Sequence, residues 1–470
     1  MNSSYKPNNS SLDEISILKA NRTTGTSTAI DTHKATAKIY DKDSYDSPIS
    51  PNPITTDEER QNSVPTGTAS TGKALFMLLK AFVGTGVIFL PGSFVSGGLV
   101  FSIILLIFIA AICLVAFQIL IIAQQKTGGS YGDVAEVLYG PWLRYIVFFF
   151  LCLSQMGFVA SYLIFISQNL GFVANSLSHC TSTVDSKYYI WVAIAFIVPI
   201  TWVRKMERLS WAAIIADVFI LFGLICVIYF CADQIARNGS GPNILTINSK
   251  DFGLMIGTAV FSFEGIGMVV PIIESMREPK KFSMVLNIGI AIVTCVFVLI
   301  GTLGYVAYGE HTQANVTSNL PAGPLSITVQ FLYACAIVLT SPFMLYPAIN
   351  IIEYCVFGDG HSRSKSLKLK WEKNFVRSLV AIVCAAVSFG VGSEGLNKFV
   401  SLVGSLACMP LCFIIPGMFH YKVTDDYRKK IGDVILAVWG FGILIYTLYV
   451  NINSWIYPGP ASVLEKVCTY

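Results

Sequence analysis

Two stretches decide the architecture of this chain. One reads Leu78-Leu79-Lys80-Ala81-Phe82-Val83-Gly84-Thr85-Gly86-Val87-Ile88-Phe89-Leu90-Pro91, and the other Phe261-Ser262-Phe263-Glu264-Gly265-Ile266-Gly267-Met268-Val269-Val270-Pro271. Each is an apolar run with paired glycines near its middle and a proline shortly after. Glycine lowers the cost of leaving helical φ/ψ. Unwound backbone at membrane depth is tolerable only where it lines a cavity enclosed by protein. Small-residue helix packing accounts for one such run alone. The same interruption in two runs, one of them with an ionisable residue beside it, points to two broken helices lining one site.

The surrounding composition supplies the membrane. Of 470 residues, 54% are hydrophobic and 13% charged, against about 25% charged in a soluble chain. The mean hydropathy is +0.63. So few charges cannot cover the surfaces of a soluble protein this long, and the apolar excess needs lipid. A soluble enzyme, a nucleic-acid binder and a fibrous protein are all disfavoured, and the net charge of +4 argues for no polyanionic partner.

Counting about 20 apolar residues per crossing predicts eleven spans, near 74–92, 97–123, 142–170, 189–203, 210–231, 253–275, 284–308, 325–356, 375–391, 397–420 and 431–452. The fourth is short. The third and eighth are long, and Pro342 and Pro347 lie in the eighth. The predicted domains are a disordered cytoplasmic tail over 1–72, an eleven-span domain over 73–456 and a short non-cytoplasmic tail over 457–470. Ser and Thr make up 22 of the first 72 residues, a composition that cannot offset its own ordering entropy. The tail reads either as a solvated tether or as a platform for regulatory partners.

With the tail in the cytoplasm, the loops on that side carry 18 Lys and Arg, and those on the other side carry 5 (Lys187, Arg237, Lys250, Lys398 and Lys466). That asymmetry is a positive-inside signal, and an even span count would scramble it. Asn315-Val316-Thr317 and Asn238-Gly239-Ser240 are glycosylation acceptor tripeptides on the non-cytoplasmic side. The broken spans are the first and the sixth. Five spans apart they run in opposite directions, the pattern of an inverted-repeat transporter with its site at the midplane.

The chemistry of the breaks assigns roles. A half-helix N-terminus at Gly84, Thr85 and Gly86 offers free N–H groups and a positive dipole end to a carboxylate. Carbonyls freed at Phe261, Ser262 and Phe263 suit an ammonium. A zwitterion needs both, and an α-amino acid has that form. Phe263 and Phe89 read either as apolar gates or as lipid-facing filler. Glu264 has no cation in its own helix. Desolvation disfavours a lone carboxylate, so the group is suited to loading and releasing a proton. Direct contact with the substrate ammonium and a neutral cap on freed backbone are its other roles. Lys80 and Asp217 come out at similar depths, roughly 10–14 Å from the cytoplasmic boundary on the helical rise. They form a candidate clamp between spans 1 and 5, and a second candidate for proton coupling. Glu274 is expected to pair with Arg277.

Competing chemistry is absent from the pattern. There is no Walker A loop, no HExxH, no GxSxG in a strand–turn–helix setting and no row of regularly spaced arginines. No CxxC pair suggests a metal site, and most of the twelve cysteines sit in apolar runs as small hydrophobes. Cys180, Cys231 and Cys468 are the few placed to reach an oxidising compartment.

The first stretch resembles span 1 of the amino acid/auxin permease family. It is closest to the fungal vacuolar amino-acid exporters of the Avt group and the animal proton-assisted amino-acid transporters. Phe263-Glu264-Gly265-Ile266-Gly267 with Pro271, Glu274 and Met276 resembles the family's span 6. Gly129-Ser130-Tyr131-Gly132-Asp133, Leu138-Tyr139-Gly140 and Ser154-Gln155-Met156-Gly157-Phe158 match its second loop and third span. The resemblance covers residues 72–455. It implies an all-α, LeuT-type fold of two five-helix inverted repeats plus one helix. It also implies proton-coupled amino-acid transport with no cofactor but the proton, and a vacuolar or lysosomal membrane. By position, it gives Gly84, Thr85 and Gly86 to the carboxylate, and Phe261, Ser262, Phe263, Glu264 and the adjoining Gly265 to the amino group or proton. Two departures stand out. The animal transporters carry a proton-linked His in span 1 where this chain has Met77, which adds weight to Glu264. The fungal exporters often carry a longer tail.

The expectation is thus a transporter and not an enzyme, exporting neutral amino acids from vacuolar lumen to cytosol. A plasma-membrane importer of the same fold and an amino-acid-sensing receptor are the alternatives.

Overall fold

The structure is a computed structural model. It describes residue 67 and residues 69–457, apart from 83, 85, 180–183, 205, 322 and 359–366. Most of the expected N-terminal tail, and the C-terminal residues after 457, lie outside the described residues. The end of the expected tail does not. The Ala69 N–H donates to the Ser275 carbonyl (2.9 Å), and the Arg277 N–H donates to the Ala69 carbonyl (3.0 Å). The first helix already begins at Thr71. The tail boundary at 72 is therefore a few residues late, because backbone pairing to the loop after the sixth span fixes this segment.

The described residues are helical, with one isolated β-bridge between Ala69 and Met276. In chain order the helices are α1 (Thr71–Phe82), α2 (Gly86–Gly97), α3 (Leu99–Thr127), α4 (Tyr131–Tyr139), α5 (Pro141–Leu177), α6 (Tyr189–Thr201), α7 (Met206–Asn238), α8 (Phe252–Ser262), α9 (Ile266–Ser275), α10 (Phe282–Tyr308), α11 (Pro324–Phe357), α12 (Leu367–Val391), α13 (Leu396–Val403), α14 (Ile415–Val423) and α15 (Tyr427–Ile456). Two π-helical turns, Gly404–Cys408 and Pro410–Ile414, join α13 to α14.

Among the described residues nine helices are long and apolar enough to cross a membrane, and the bent pair α1 and α2 makes ten. The expected fourth span is a shorter apolar helix, Ser186–Thr201, so the count of eleven rests on that one element. Burial separates centre from periphery. The apolar window of α8–α9 is 83% buried and that of α15 is 17% buried. A helix apolar all round and buried belongs to the interior, whereas an apolar outward face such as Val438, Phe441, Ile445 and Tyr449 of α15 is built for lipid.

The interior helices approach closely where glycine removes the side chain. A Cβ at Gly404 would overlap the Gly257 carbonyl oxygen, and one at Gly257 would overlap Ser401. Backbone cannot yield as a side-chain tip can. Gly404→Ala is expected to destabilise the fold by about 2 kcal/mol or more. Thermal unfolding in detergent, with membrane abundance as a second readout, measures it.

Candidate functional site

Both predicted breaks are present, and they face each other. α1 ends at Phe82 and α2 begins at Gly86, with a 46° bend between them. α8 ends at Ser262 and α9 begins at Ile266. A Cβ at Gly86 would stand 3.2 Å from Ser262 Cα, and one at Gly265 would meet the Phe82 ring at 2.7 Å. Glycine is thus needed in each break because the other break occupies the space a side chain would fill.

Between them lies a small cavity of about 20 Å³, room for roughly one water. Ala81, Phe82, Gly84 and Gly86 line it from the first break, and Phe261, Ser262 and Glu264 from the second. Phe158 and Tyr162 of α5 and Met344 of α11 complete the wall. An amino acid fits there only if these helices part. A larger apolar groove of about 300 Å³ between α3, α8 and α15, including Phe108 and Trp439, has half-exposed aliphatic walls that suit lipid and lies away from the breaks.

The N-terminal N–H groups of α2 open onto this space, with the dipole end expected for carboxylate binding. Thr85 lies outside the described residues. On the opposite side one expectation changes. The Phe261 carbonyl is not free, because the Glu264 N–H donates to it at 3.3 Å. The chain leaves α8 through a tight turn at Phe263 (φ −91°, ψ 6°), which recaptures that acceptor. The Ser262 hydroxyl donates back to the Thr258 carbonyl at 2.9 Å. The Phe263 ring packs on Phe297 of α10 (5.1 Å between centroids), away from the cavity, so only its backbone can serve a ligand. Phe89 is fully buried and meets Phe165 and Phe261, which places it inside the protein rather than against lipid.

Glu264 is the electrostatic centre of the site. Its side chain lines the cavity, the residue is 6% exposed, and Oε1 is buried with no hydrogen-bond partner. Its titratable neighbours are the thiols of Cys113, Cys408 and Cys412 and the hydroxyl of Tyr131, none of them a cation. Sequence positions these neighbours through local structure. Ser130 caps α4 in a capping box with Asp133, which orients the next residue. The Tyr131 hydroxyl then donates to the Leu411 carbonyl at 2.8 Å in the π-helical stretch.

Lys80 and Asp217 do meet, Nζ to Oδ2 at 2.9 Å, with side chains 17% and 23% exposed. The lysine also lies over the Phe343 ring at 5.7 Å. Neither residue lines the cavity. Glu274 forms no ion pair with Arg277 among the described residues, and Asp133 is near enough to act on its charge. The two acceptor tripeptides also differ. Asn238 is exposed at the end of α7, whereas Asn315 is 1% exposed with both side-chain ends hydrogen-bonded. A glycan has no room on Asn315 in this fold. Cys231 is a buried free thiol, and Cys180 and Cys468 lie outside the described residues. No cluster of three His, Cys, Asp or Glu suited to a metal occurs among the described residues.

Phe158, Tyr162 and Met344 were not singled out by the sequence. Phe158 sets its edge on Phe261 (4.6 Å, 70°). A Cβ at Gly84 would lie 3.7 Å from the Tyr162 hydroxyl. Their i,i+4 spacing on α5 is a signal, but it stands in a helix apolar on every side.

The model of the family described as transmembrane amino acid transporter protein matches residues 67–453. The chain belongs to that family. The chain is 39% identical over 395 residues to "Vacuolar amino acid transporter 3" of Saccharomyces cerevisiae, a match covering 82% of this chain and 57% of the relative. It is 37% identical to the Schizosaccharomyces pombe protein of the same description, covering 82% and 58%. It is 30% identical to "Amino acid transporter AVT3C" of Arabidopsis thaliana, covering 77% and 87%. The matched region spans little more than half the length of the fungal relatives. Among solved structures, the inward-facing conformation of Mhp1 superposes with a TM-score of 0.58 at 14% identity, covering 83% of this chain and 91% of that one. A closed conformation of Mhp1, a nucleobase-cation-symport-1 family transporter, gives 0.53 at 15% identity, covering 84% and 96%. At that identity the likeness is one of fold alone, and the fold is the LeuT type that the family resemblance implied.

Proposed function

We propose that this transporter moves neutral amino acids from the vacuolar lumen to the cytosol in symport with protons. The observation that carries the reading is the pairing, across one small cavity, of a half-helix N-terminus with a buried carboxyl group that has no cation beside it. The first suits a substrate carboxylate. The second holds a charge only at high cost, and a proton removes that cost. Phe158, Phe261 and Met344 give the wall an apolar part for a neutral side chain, and Glu264, the one acidic group lining it, is assigned to the proton. The vacuolar assignment follows the descriptions of the fungal relatives. The direction follows from an acidic lumen, since a proton running down its gradient carries its co-substrate outward. The loop charges support a cytoplasmic N-terminus.

The test is a screen of radiolabelled amino acids in proteoliposomes under an imposed pH gradient, with a tagged copy located in cells. Neutral amino acids are expected to accumulate on the side opposite the acid. Flux indifferent to the gradient overturns the coupling, and a plasma-membrane location overturns the site of action.

A further inference from the structure

The tripeptide Asn315-Val316-Thr317, read in sequence as a glycan acceptor, is folded into a hydrogen-bonded hub. The Thr317 hydroxyl lies 2.8 Å from both Asn315 Oδ1 and Asn169 Oδ1, and the Thr317 N–H donates to Asn315 Oδ1 at 3.0 Å. Gln330 Nε2 donates to the Thr317 carbonyl and Asn169 Nδ2 to the Phe165 carbonyl, each at 2.8 Å. All four side chains are at most 1% exposed. They come from three places: α5, the connection between α10 and α11, and α11 itself.

Position gives the hub its meaning. Phe165, one turn from Asn169, contacts Phe89 of α2 and Tyr333 of α11 at ring separations of 6.0 and 5.9 Å. Phe89 in turn meets Phe261 at the cavity wall. An aromatic layer therefore closes the cavity on the side facing the α10–α11 connection, and the hub lies beyond it. α2 is held there as well, since a Cβ at Gly92 would overlap the Gln313 carbonyl of the same connection.

We propose that Asn169, Asn315, Thr317 and Gln330 form a polar latch that keeps the non-cytoplasmic route to the cavity shut, with Asn315 and Thr317 serving as gating residues rather than a glycan site. The proposal rests on the transport reading for its purpose, but its geometry is independent of substrate and direction. Buried amides and hydroxyls are costly unless partnered. Closed, these groups bond to one another and to nearby backbone, apart from Gln330 Oε1. Open, water admitted by the parting helices satisfies them instead. Gln330 Oε1 and Ser326 Oγ, buried on α11 with no partner, gain water only on opening. Opening therefore exchanges one set of hydrogen bonds for another, which lowers its cost. These four are positioning residues and touch no substrate.

The experiment places a reporter thiol at Ser326→Cys, buried one turn before Gln330 on α11, and labels it with a membrane-impermeant maleimide applied to one face of sealed vesicles at a time. Mass spectrometry of the peptide reads the rate. From the face that carries Asn238, adding Thr317→Val is expected to speed labelling about tenfold, with Thr317→Ser restoring the parent rate. From the opposite face no change is expected. Asn315→Ser, which removes the acceptor of both Thr317 bonds, carries the same expectation if Thr317→Val fails to fold. An unchanged rate in either variant, equal acceleration from both faces, or a glycan on Asn315 of the mature protein would overturn the proposal. Loss of pH-driven flux with the labelling pattern intact would count against the transport reading and not the latch.

Discussion

Glu264→Gln is expected to reduce pH-driven net flux of amino acid to background while leaving exchange of amino acid for amino acid across the same membrane intact. The argument starts from the carboxyl group's surroundings. Glu264 lines the cavity, and its Oε1 has no partner. Glutamine keeps the shape and the polar end but cannot give up a proton. It therefore imitates the loaded state. Exchange requires only that the loaded carrier reorient, so it persists, and it loses its dependence on pH. Net flux requires the empty carrier to return without its proton, and that step is closed. The three roles of this residue separate cleanly. If Glu264 only binds the substrate ammonium, exchange falls with net flux. If it only caps freed backbone, neither changes. Thermal stability is expected to hold or to rise by about 1–2 kcal/mol, because a buried ionisable group with no partner is itself a cost. Reconstituted protein, assayed with and without a pH gradient, gives all three readouts.

Much of this site was legible because the residues that make it break a pattern. Glycine pairs and a proline in an apolar run announce an interruption, and one acidic residue in such a run announces itself. The Lys80–Asp217 pair came from counting residues inward from the nearest basic loop, since helical rise converts sequence distance to depth. The walls of the cavity break no pattern. Phe158, Tyr162 and Met344 lie in helices that are apolar on all faces, where periodicity carries no information about which side meets the cavity. The Phe261 carbonyl was misjudged for a related reason. Glycines mark where a helix ends, but not whether the chain leaves through a tight turn that takes up the last acceptor. The Asn315 tripeptide was read as an enzyme would read it in an unfolded chain. Its asparagine and threonine instead serve the 3-10 turn Val316–Asn319, a tertiary outcome that three residues do not encode. The π-helical turns beside Glu264 have no sequence signature either, whereas hydropathy alone marked the fourth span, Ser186–Thr201, as short.

Neutralising one partner of the Lys80–Asp217 pair is expected to damage transport more than neutralising both. Either single change, Lys80→Met or Asp217→Leu, leaves a charge at membrane depth with nothing to answer it. Breaking a fully buried pair costs about 3–5 kcal/mol. Partial exposure of both side chains lets water screen the survivor, and the expected cost falls to about 1–2 kcal/mol. The double variant removes both charges, so its stability should return to near that of the parent. What it does to flux decides the pair's role. α1 and α7 are joined here, on the cytoplasmic side of the first break under the proposed topology, by a contact that lines no part of the cavity. A clamp of that kind sets how easily the cytoplasmic ends separate. Its removal is expected to change the rate several-fold, in either direction, while preserving the dependence of flux on the pH gradient. If the pair carries the proton, the double variant instead resembles Glu264→Gln, retaining exchange and losing all response to the gradient. The reversed pair, Lys80→Asp with Asp217→Lys, sharpens the distinction. A clamp works with its charges exchanged, whereas a proton site does not survive the transfer of its carboxyl group to a different helix.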